Sequence, residues 1–516
     1  MPRLGSLRLS LEVRLLVPLF ALAAVLLFAD AVREFEDEAD NLLGAVLIAR
    51  GARLYADYFS SHMPFVYYLS ALPALLGAWT VDDFRLFSNA LLLGATAWIA
   101  WSFLAYLPEG VMLSWAVITV FAHRVQWGEM LHAGTVAGFG VLAAGLLFLT
   151  RAGLRFSVRD QLALSLAVFV GVQSSQLAIF PLALLGVCYV GVLVFGRPGE
   201  ARAARLREAA STLALVLAPH LVLLVWFAAI GALPAFVYDA YLFNQRYYSQ
   251  YLMNGSTLGM LHDWEAQYRT YLALNVVRPW TIDFYLIVAI FGATALVWRR
   301  RGPLVAVLVY LFVALTRVRA EGSYYLSAYL CVALCLVWAT SALAGWRRAP
   351  GRAQLVAATL FVTLSLGFAV NVGRLYDLTR HPAYRSPYLS VVSAITQPGD
   401  RIFVAPYDPY LFLASQRLPA TRYGFYFPWQ AADPAMQADI LGELEQARPP
   451  VVVFMRDELV NGQYRTADWG RPMLDLLQRD YVPLEPDDPV LGNVFVRPDR
   501  VDAARAALGV AASSPS

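Results

Sequence analysis

Lysine is missing from this chain. All 40 basic residues are arginine. A GC-rich bacterial genome would produce this bias, so it identifies no ligand, although the forked guanidinium suits phosphate. Charge of either sign is scarce: charged residues are 15% of the 516, against about 25% in soluble domains, which excludes an ordinary soluble protein. Cysteine is scarcer still. Cys188, Cys331 and Cys335 all lie in apolar runs and none in a polar connection, so neither a disulfide framework nor a cysteine-rich zinc site is supported. A net charge of +3 is too small to point to nucleic acid. No internal repeat is visible either.

What the chain has in quantity is apolar length. Hydrophobic residues make up 59% and the mean hydropathy is +0.55; several runs approach the roughly 20 residues a helix needs to cross a bilayer. Arg3, Arg8 and Arg14 place the N-terminus in the cytoplasm. Residues 11–29 then form the first span, a retained anchor, because no small-x-small cleavage site precedes the acidic stretch that follows. Residues 64–77 are too short to cross and belong in or near the interface. Residues 84–107 and 111–122 cross, separated by the turn Pro108-Glu109-Gly110. The run 131–149 leads to Arg151, Arg155 and Arg159 on the cytoplasmic side. Runs at 162–172, 177–195, 211–230, 282–297, 304–315, 325–343 and 354–372 follow, with arginine clusters alternating as the positive-inside rule requires. The sum is about eleven crossings, with the count between residues 64 and 125 left open.

Residues 373–516 change character. They are proline-rich and mixed polar, with β-like runs at 401–405 and 451–455 around a helical stretch near 436–447. This pattern predicts a small α/β domain outside the membrane, ending in a disordered tail at 510–516. The expected fold class is a mainly α polytopic membrane protein, with a transmembrane module over 1–372 and an extracytoplasmic α/β domain over 373–516.

The most informative stretch follows the first span. Glu34, Glu36, Asp37, Glu38 and Asp40 place five carboxylates in seven positions. Such groups are expensive within lipid and belong at a membrane face, where mutual repulsion favours protonation or pairing with cations. A solvated acidic loop is the plain alternative to a general base that an acceptor can reach. Leu42, Val46 and Ala49 recur at helical spacing, predicting a short interfacial helix over 41–50 that Gly51 ends.

The arrangement Asp37-Glu38, Gly51, Tyr55, Asp57, His62-x-Pro64-x-x-Tyr67-Tyr68-x-x-Ala71, Gly77 and Arg85 resembles the first outer loop of the GT-C glycosyltransferases. It is similar to the branch that includes protein O-mannosyltransferases and the lipid A aminoarabinose transferases. The resemblance implies transfer of a sugar from a polyprenyl-phosphate carrier, on the outer face, with inversion. It makes Asp37 the catalytic residue and Glu38 the second candidate; Glu36 and Asp40 lie close enough to compete. Asp57, His62 and Tyr67 belong to the same loop pattern, on the acceptor side. Glu129, in Trp127-Gly128-Glu129-Met130-Leu131-His132, corresponds to a second acidic residue the family carries in a comparable outer loop, although a solvated span-end carboxylate explains it equally. His132 and His123 read as packed residues.

The departing phosphate needs cations. Arg317 and Arg319 run against the positive-inside trend and suit a lipid phosphate, or else snorkel; Ser323 stands where the family has histidine. Arg85 is a third candidate. Gln176 replaces a lysine frequent in relatives, and Gln173-Ser174-Ser175-Gln176 reads as a turn. The tyrosines between 238 and 251 suit an interfacial belt or a sugar face. No metal is required, since phosphate already leaves well, but carboxylates from two loops suit Mg²⁺ or Mn²⁺. The expected partners are a polyprenyl-phosphate-linked sugar, membrane lipid and an envelope acceptor, in a bacterial plasma membrane with the N-terminus inside and the C-terminal domain outside. The rivals are a transporter or flippase, for which midplane charges and repeated halves are usual, and a non-catalytic glycan-binding envelope protein.

Overall fold

The structure, a computed structural model, describes residues 36–103, 130–151, 155–195, 199–248, 251, 386–460 and 463–509. The spans expected over 11–29, 111–122 and 282–372 fall outside these residues. The described residues are mostly helical with one small sheet, and they divide into two compact units. One holds the described residues of Arg85–Val225; the other holds those of Val32–Phe84, Trp226–Met260 and Pro382–Ser516.

The second unit begins with α1 (Glu36–Ala49). Glu36 to Asp40, expected to lie in a loop, are helical. Nothing breaks helical geometry between Glu36 and Ala49, and Ala39, Leu42, Leu43 and Val46 lie on one buried face. Gly51, at φ +95°, ends the segment. After a short loop, α2 (Phe65–Leu75) buries Val66, Tyr67, Ser70 and Ala71. Leu72, Leu75 and Leu76 are left exposed.

The described helices that lie wholly or mostly in the first unit are α3 (Val81–Phe103), α4 (Ala133–Arg151), α5 (Val158–Ser174), α6 (Ile179–Phe195) and α7 (Arg202–Ala229). Among the described residues α7 is the one helix long and apolar enough to cross a membrane. Helices α4 and α5 touch through glycines: a Cβ on Gly140 would stand 2.5 Å from the Ala167 carbonyl oxygen and 2.9 Å from the Gly171 Cα. Small residues let helix backbones approach where lipid offers no hydrophobic drive. Helices α5 and α7 are joined by Gln161 donating to Ser211 (2.9 Å), Ser165 donating to the Leu215 carbonyl (2.6 Å) and Gln173 bonding His220 (2.7 Å). Helix α5 starts on a Ser157–Asp160 capping box and stops at Ser174. Ser175 is extended, and a 3₁₀ turn over Gln176–Ala178 leads into α6, so the polar break forms a turn.

The rest of the second unit continues through α8 (Leu233–Val237) into π-helical turns over Tyr238–Leu242 and Asn244–Tyr248. An α/β layer follows: α9 (Pro387–Ile395), β1 (Arg401–Ala405), α10 (Pro409–Ser415), β2 (Leu418–Pro419), α11 (Pro434–Ala447), β3 (Val451–Phe454), the hairpin of β4 (Leu459–Val460) and β5 (Tyr464–Arg465), α12 (Arg471–Asp480), β6 (Val482–Pro483), β7 (Val494–Val496) and α13 (Val501–Leu508). The sheet order is β2-β1-β3-β7-β6. Strand β1 is parallel to β2 and β3, while β7 is antiparallel to β3 and β6. Strand β3 is buried on both faces and reads as an unbroken apolar run, as strands covered by helices do. Phe403, Val452 and Phe495 meet across it in a core shared with Phe59 from the first loop and Phe243 from the π-helical turns.

Candidate active site

Helix α1 carries the acidic residues into the second unit. Glu38 is fully buried and accepts a hydrogen bond from the Tyr410 hydroxyl of α10 at 3.1 Å. Asp40 is 2% exposed. Its Oδ1 accepts from the Tyr58 hydroxyl at 2.5 Å and its Oδ2 from the Tyr67 hydroxyl, which also bonds the Ser60 hydroxyl at 2.6 Å. Burial and the adjacent Asp40 carboxylate push both tyrosines well above the usual phenol range, so they stay protonated donors. His62 brings its Nδ1 to 3.6 Å from Asp40 Oδ2. Asp37 lies half-buried on the same helix.

Glycine makes this gathering possible. Gly44 lies one turn after Asp40, on the same helix face. A Cβ there would stand 2.5 Å from the Tyr67 ring and 3.0 Å from the Tyr58 ring. From the other side, a Cβ on Gly424 would stand 2.8 Å from the Tyr58 hydroxyl oxygen. Both rings need backbone-deep access to reach the carboxylate. Gly44→Ala will therefore displace Tyr67 and destabilise the protein by about 2 kcal/mol. Thermal unfolding of detergent-purified protein checks this, with Gly94→Ala as the control, since a Cβ on Gly94 meets nothing within 4 Å.

The loop between α1 and α2 is fixed by its own bonds. Tyr55 sits in the left-handed region at φ 70°, its amide donating to the Tyr58 carbonyl (2.8 Å) and its hydroxyl to the His62 carbonyl (2.7 Å). Asp57 is held in a bidentate pair with Arg53, at 2.9 and 2.7 Å. The Arg53 hydrogen bonds draw its carboxyl below the usual range. Both groups are largely exposed, so the pair fixes loop shape more than it stabilises the fold.

The sequence-derived candidates thus separate. Glu38, His62 and Tyr67 lie in the second unit, His62 and Tyr67 around Asp40 and Glu38 on the same helix. Asp57 points to Arg53. Arg85, buried on α3, belongs to the first unit. Glu129, Arg317 and Arg319 lie outside the described residues. The hub is Asp40, which the sequence offers only as a competitor of Asp37, with Tyr58 and Ser60, which it does not single out. Among the described residues no group of three or more His, Cys, Asp or Glu could hold a metal ion. Asp40 accepts from two tyrosine hydroxyls and Glu38 from Tyr410, while Glu129, the carboxylate expected from the second loop, lies outside the described residues.

No protein-family model and no curated protein sequence matches the chain. Solved structures do. ArnT from Cupriavidus metallidurans in the apo state is 13% identical with a TM-score of 0.53, covering 86% of this chain and 92% of that one. The same protein bound to undecaprenyl phosphate is 15% identical with a TM-score of 0.46, covering 86% and 92%. The Archaeoglobus fulgidus oligosaccharyltransferase, in complex with Zn and sulfate, is 12% identical with a TM-score of 0.49, covering 90% and 71%. Sequence identity this low speaks to architecture, and on that ground the chain shares the fold of ArnT.

Proposed function

We propose that the protein is a multi-pass membrane glycosyltransferase. It moves a sugar from a polyprenyl-phosphate carrier to a cell-envelope acceptor on the outer face of a bacterial plasma membrane. The observation that carries this reading is the fold shared with ArnT across 86% of this chain and 92% of that one. The first-loop residues Asp37-Glu38, Tyr55, Asp57, His62, Pro64 and Tyr67 support it.

The step is a single displacement. The acceptor oxygen forms a bond to the anomeric carbon, the bond from that carbon to the phosphate oxygen breaks, and polyprenyl phosphate leaves with the electron pair. The acceptor proton passes to Asp37. Glu129 is the second acidic group. Arg85, Arg317 and Arg319 are the cations that would balance the departing phosphate, since donors placed where charge develops lower the barrier most. The buried Glu38 and Asp40 hold α1 and the loop in place. Buried carboxylates already engaged by tyrosine hydroxyls are poor bases for an incoming acceptor.

The test is transfer from a panel of radiolabelled polyprenyl-phosphate sugars, using purified protein with envelope extracts as acceptor. Incorporation from one member, dependent on the protein, is expected. Its absence across the panel, with label instead crossing the bilayer in proteoliposomes, would favour the flippase reading.

A further inference from the structure

We propose that Arg422 is a positioning residue for the loop between α1 and α2, a clamp extended by the α/β layer and tightened by the buried carboxylate of Asp239; its catalytic consequence rests on the glycosyl-transfer reading above.

Arg422 lies between β2 and α11 and engages three separate parts of the second unit. Its Nη1 donates to the Tyr55 carbonyl at 3.0 Å, and its own carbonyl accepts from the Phe59 amide at 2.8 Å. Both ends of the loop turn are therefore tied to one residue of the α/β layer. Its Nη2 donates to the Tyr423 hydroxyl at 2.8 Å, and its amide donates to Glu443 at 2.7 Å. Its Nε stands 3.4 Å from Asp439 Oδ2. On the far side, Nη1 is 4.0 Å from Asp239 Oδ2. The clamp then reaches the site through short links: Tyr55 donates to the His62 carbonyl, and the His62 ring lies beside Asp40.

Asp239 is the unusual member. It sits in the π-helical turn over Tyr238–Leu242, is 1% exposed, and neither carboxylate oxygen accepts a hydrogen bond from any described residue. A buried carboxylate without donors is costly, and an apolar residue of similar size would usually serve stability better. What Asp239 supplies is charge facing Arg422. The groups around it are Arg422, Asp439 beyond the guanidinium, and the buried Tyr55 hydroxyl. Burial pushes its carboxyl up to about 7, against the pull of Arg422 and with a smaller push from Asp439. Above that pH the carboxylate is charged and draws on Arg422; below it the acid is neutral and the clamp relies on its hydrogen bonds alone.

The test is hydrogen–deuterium exchange of the full-length protein in detergent, read as protection of the peptide spanning residues 55–62 relative to intrinsic exchange at each pH. Arg422→Ala is expected to lower protection there roughly tenfold at both pH 6 and pH 8, the effect of losing bonds from a charged donor. Asp239→Asn should match wild type at pH 6 and fall below it, by roughly tenfold, at pH 8, where only wild type carries the charge. Arg422→Lys should keep this pH dependence but lose part of the protection, because a single ammonium cannot bond Tyr55 and Tyr423 in a fork. In the transfer assay the same variants should lower kcat more than donor KM. Unaltered protection in Arg422→Ala, or superimposable wild-type and Asp239→Asn values at pH 8, would overturn the proposal. Exchange needs no substrate, so a protein with the predicted protection pattern but no sugar transfer would sustain the clamp and remove the enzymatic reading.

Discussion

Asp37→Asn will lower sugar transfer by about 10²-fold or more, the usual contribution of a positioned base, while the melting temperature stays near that of wild type. The reasoning starts from α1. That helix carries four carboxylates, Glu36, Asp37, Glu38 and Asp40; the loop pattern selects Asp37, and the geometry removes two of the other three. Glu38 is fully buried against Tyr410, and Asp40 is 2% exposed with a tyrosine on each oxygen. Neither can be approached without dismantling the unit. Asp37 retains exposure on the same rigid helix, and a base on a helix is held more firmly than one on a loop. Asparagine keeps the size of the side chain and its hydrogen-bonding reach but cannot accept a proton. The two controls separate chemistry from architecture. Glu38→Gln should reduce stability and activity together, whereas Asp37→Asn should reduce activity alone. Near-wild-type transfer by purified Asp37→Asn would remove the residue from the reaction.

The parts of this arrangement that sequence could reveal are the local ones. The β-like runs at 401–405 and 451–455 and the helical stretch near 436–447 appear as β1, β3 and α11, because the strands are apolar runs rich in β-branched and aromatic residues and the helix is 14 residues long. Strands β2 and β6 have two residues each, the latter including Pro483, and carry no period at all. The polar break at 173–176 was legible as a turn because four polar residues interrupt an apolar run. The acidic stretch was misjudged as a loop because charge density obscured the apolar face formed by Ala39, Leu42 and Val46. The site itself is built from long-range pairings: Asp40 meets Tyr58 and Tyr67, 18 and 27 residues on, and Glu38 meets Tyr410, 372 residues away. Tyrosine hydroxyls announce no partner in a single sequence, and the positions of Arg422 and Asp239 look like ordinary polar residues until the chain folds.

Asp40→Ala should have the largest effect on stability, about 3–5 kcal/mol, because it removes the shared acceptor of a buried cluster and leaves its donors behind. The Tyr58 and Tyr67 hydroxyls are fully buried, and no water can replace the carboxylate without opening the packing of Gly44 and Gly424 against the rings. His62 would lose its neighbouring charge as well. In differential scanning fluorimetry of detergent-purified protein the apparent melting temperature should drop by about 5–10 °C. Asp40→Asn should fall between, since its amide oxygen can accept from one tyrosine while its NH₂ faces the other. The decisive comparison is the triple variant Asp40→Leu, Tyr58→Phe and Tyr67→Phe. Replacing all members of a buried polar cluster by apolar groups of similar shape is often nearly neutral, so the triple variant should regain most of the melting temperature lost by Asp40→Ala. A melting temperature for Asp40→Ala within 1 °C of wild type would mean that the tyrosines do not depend on this carboxylate, and the arrangement built around α1 would have to be abandoned.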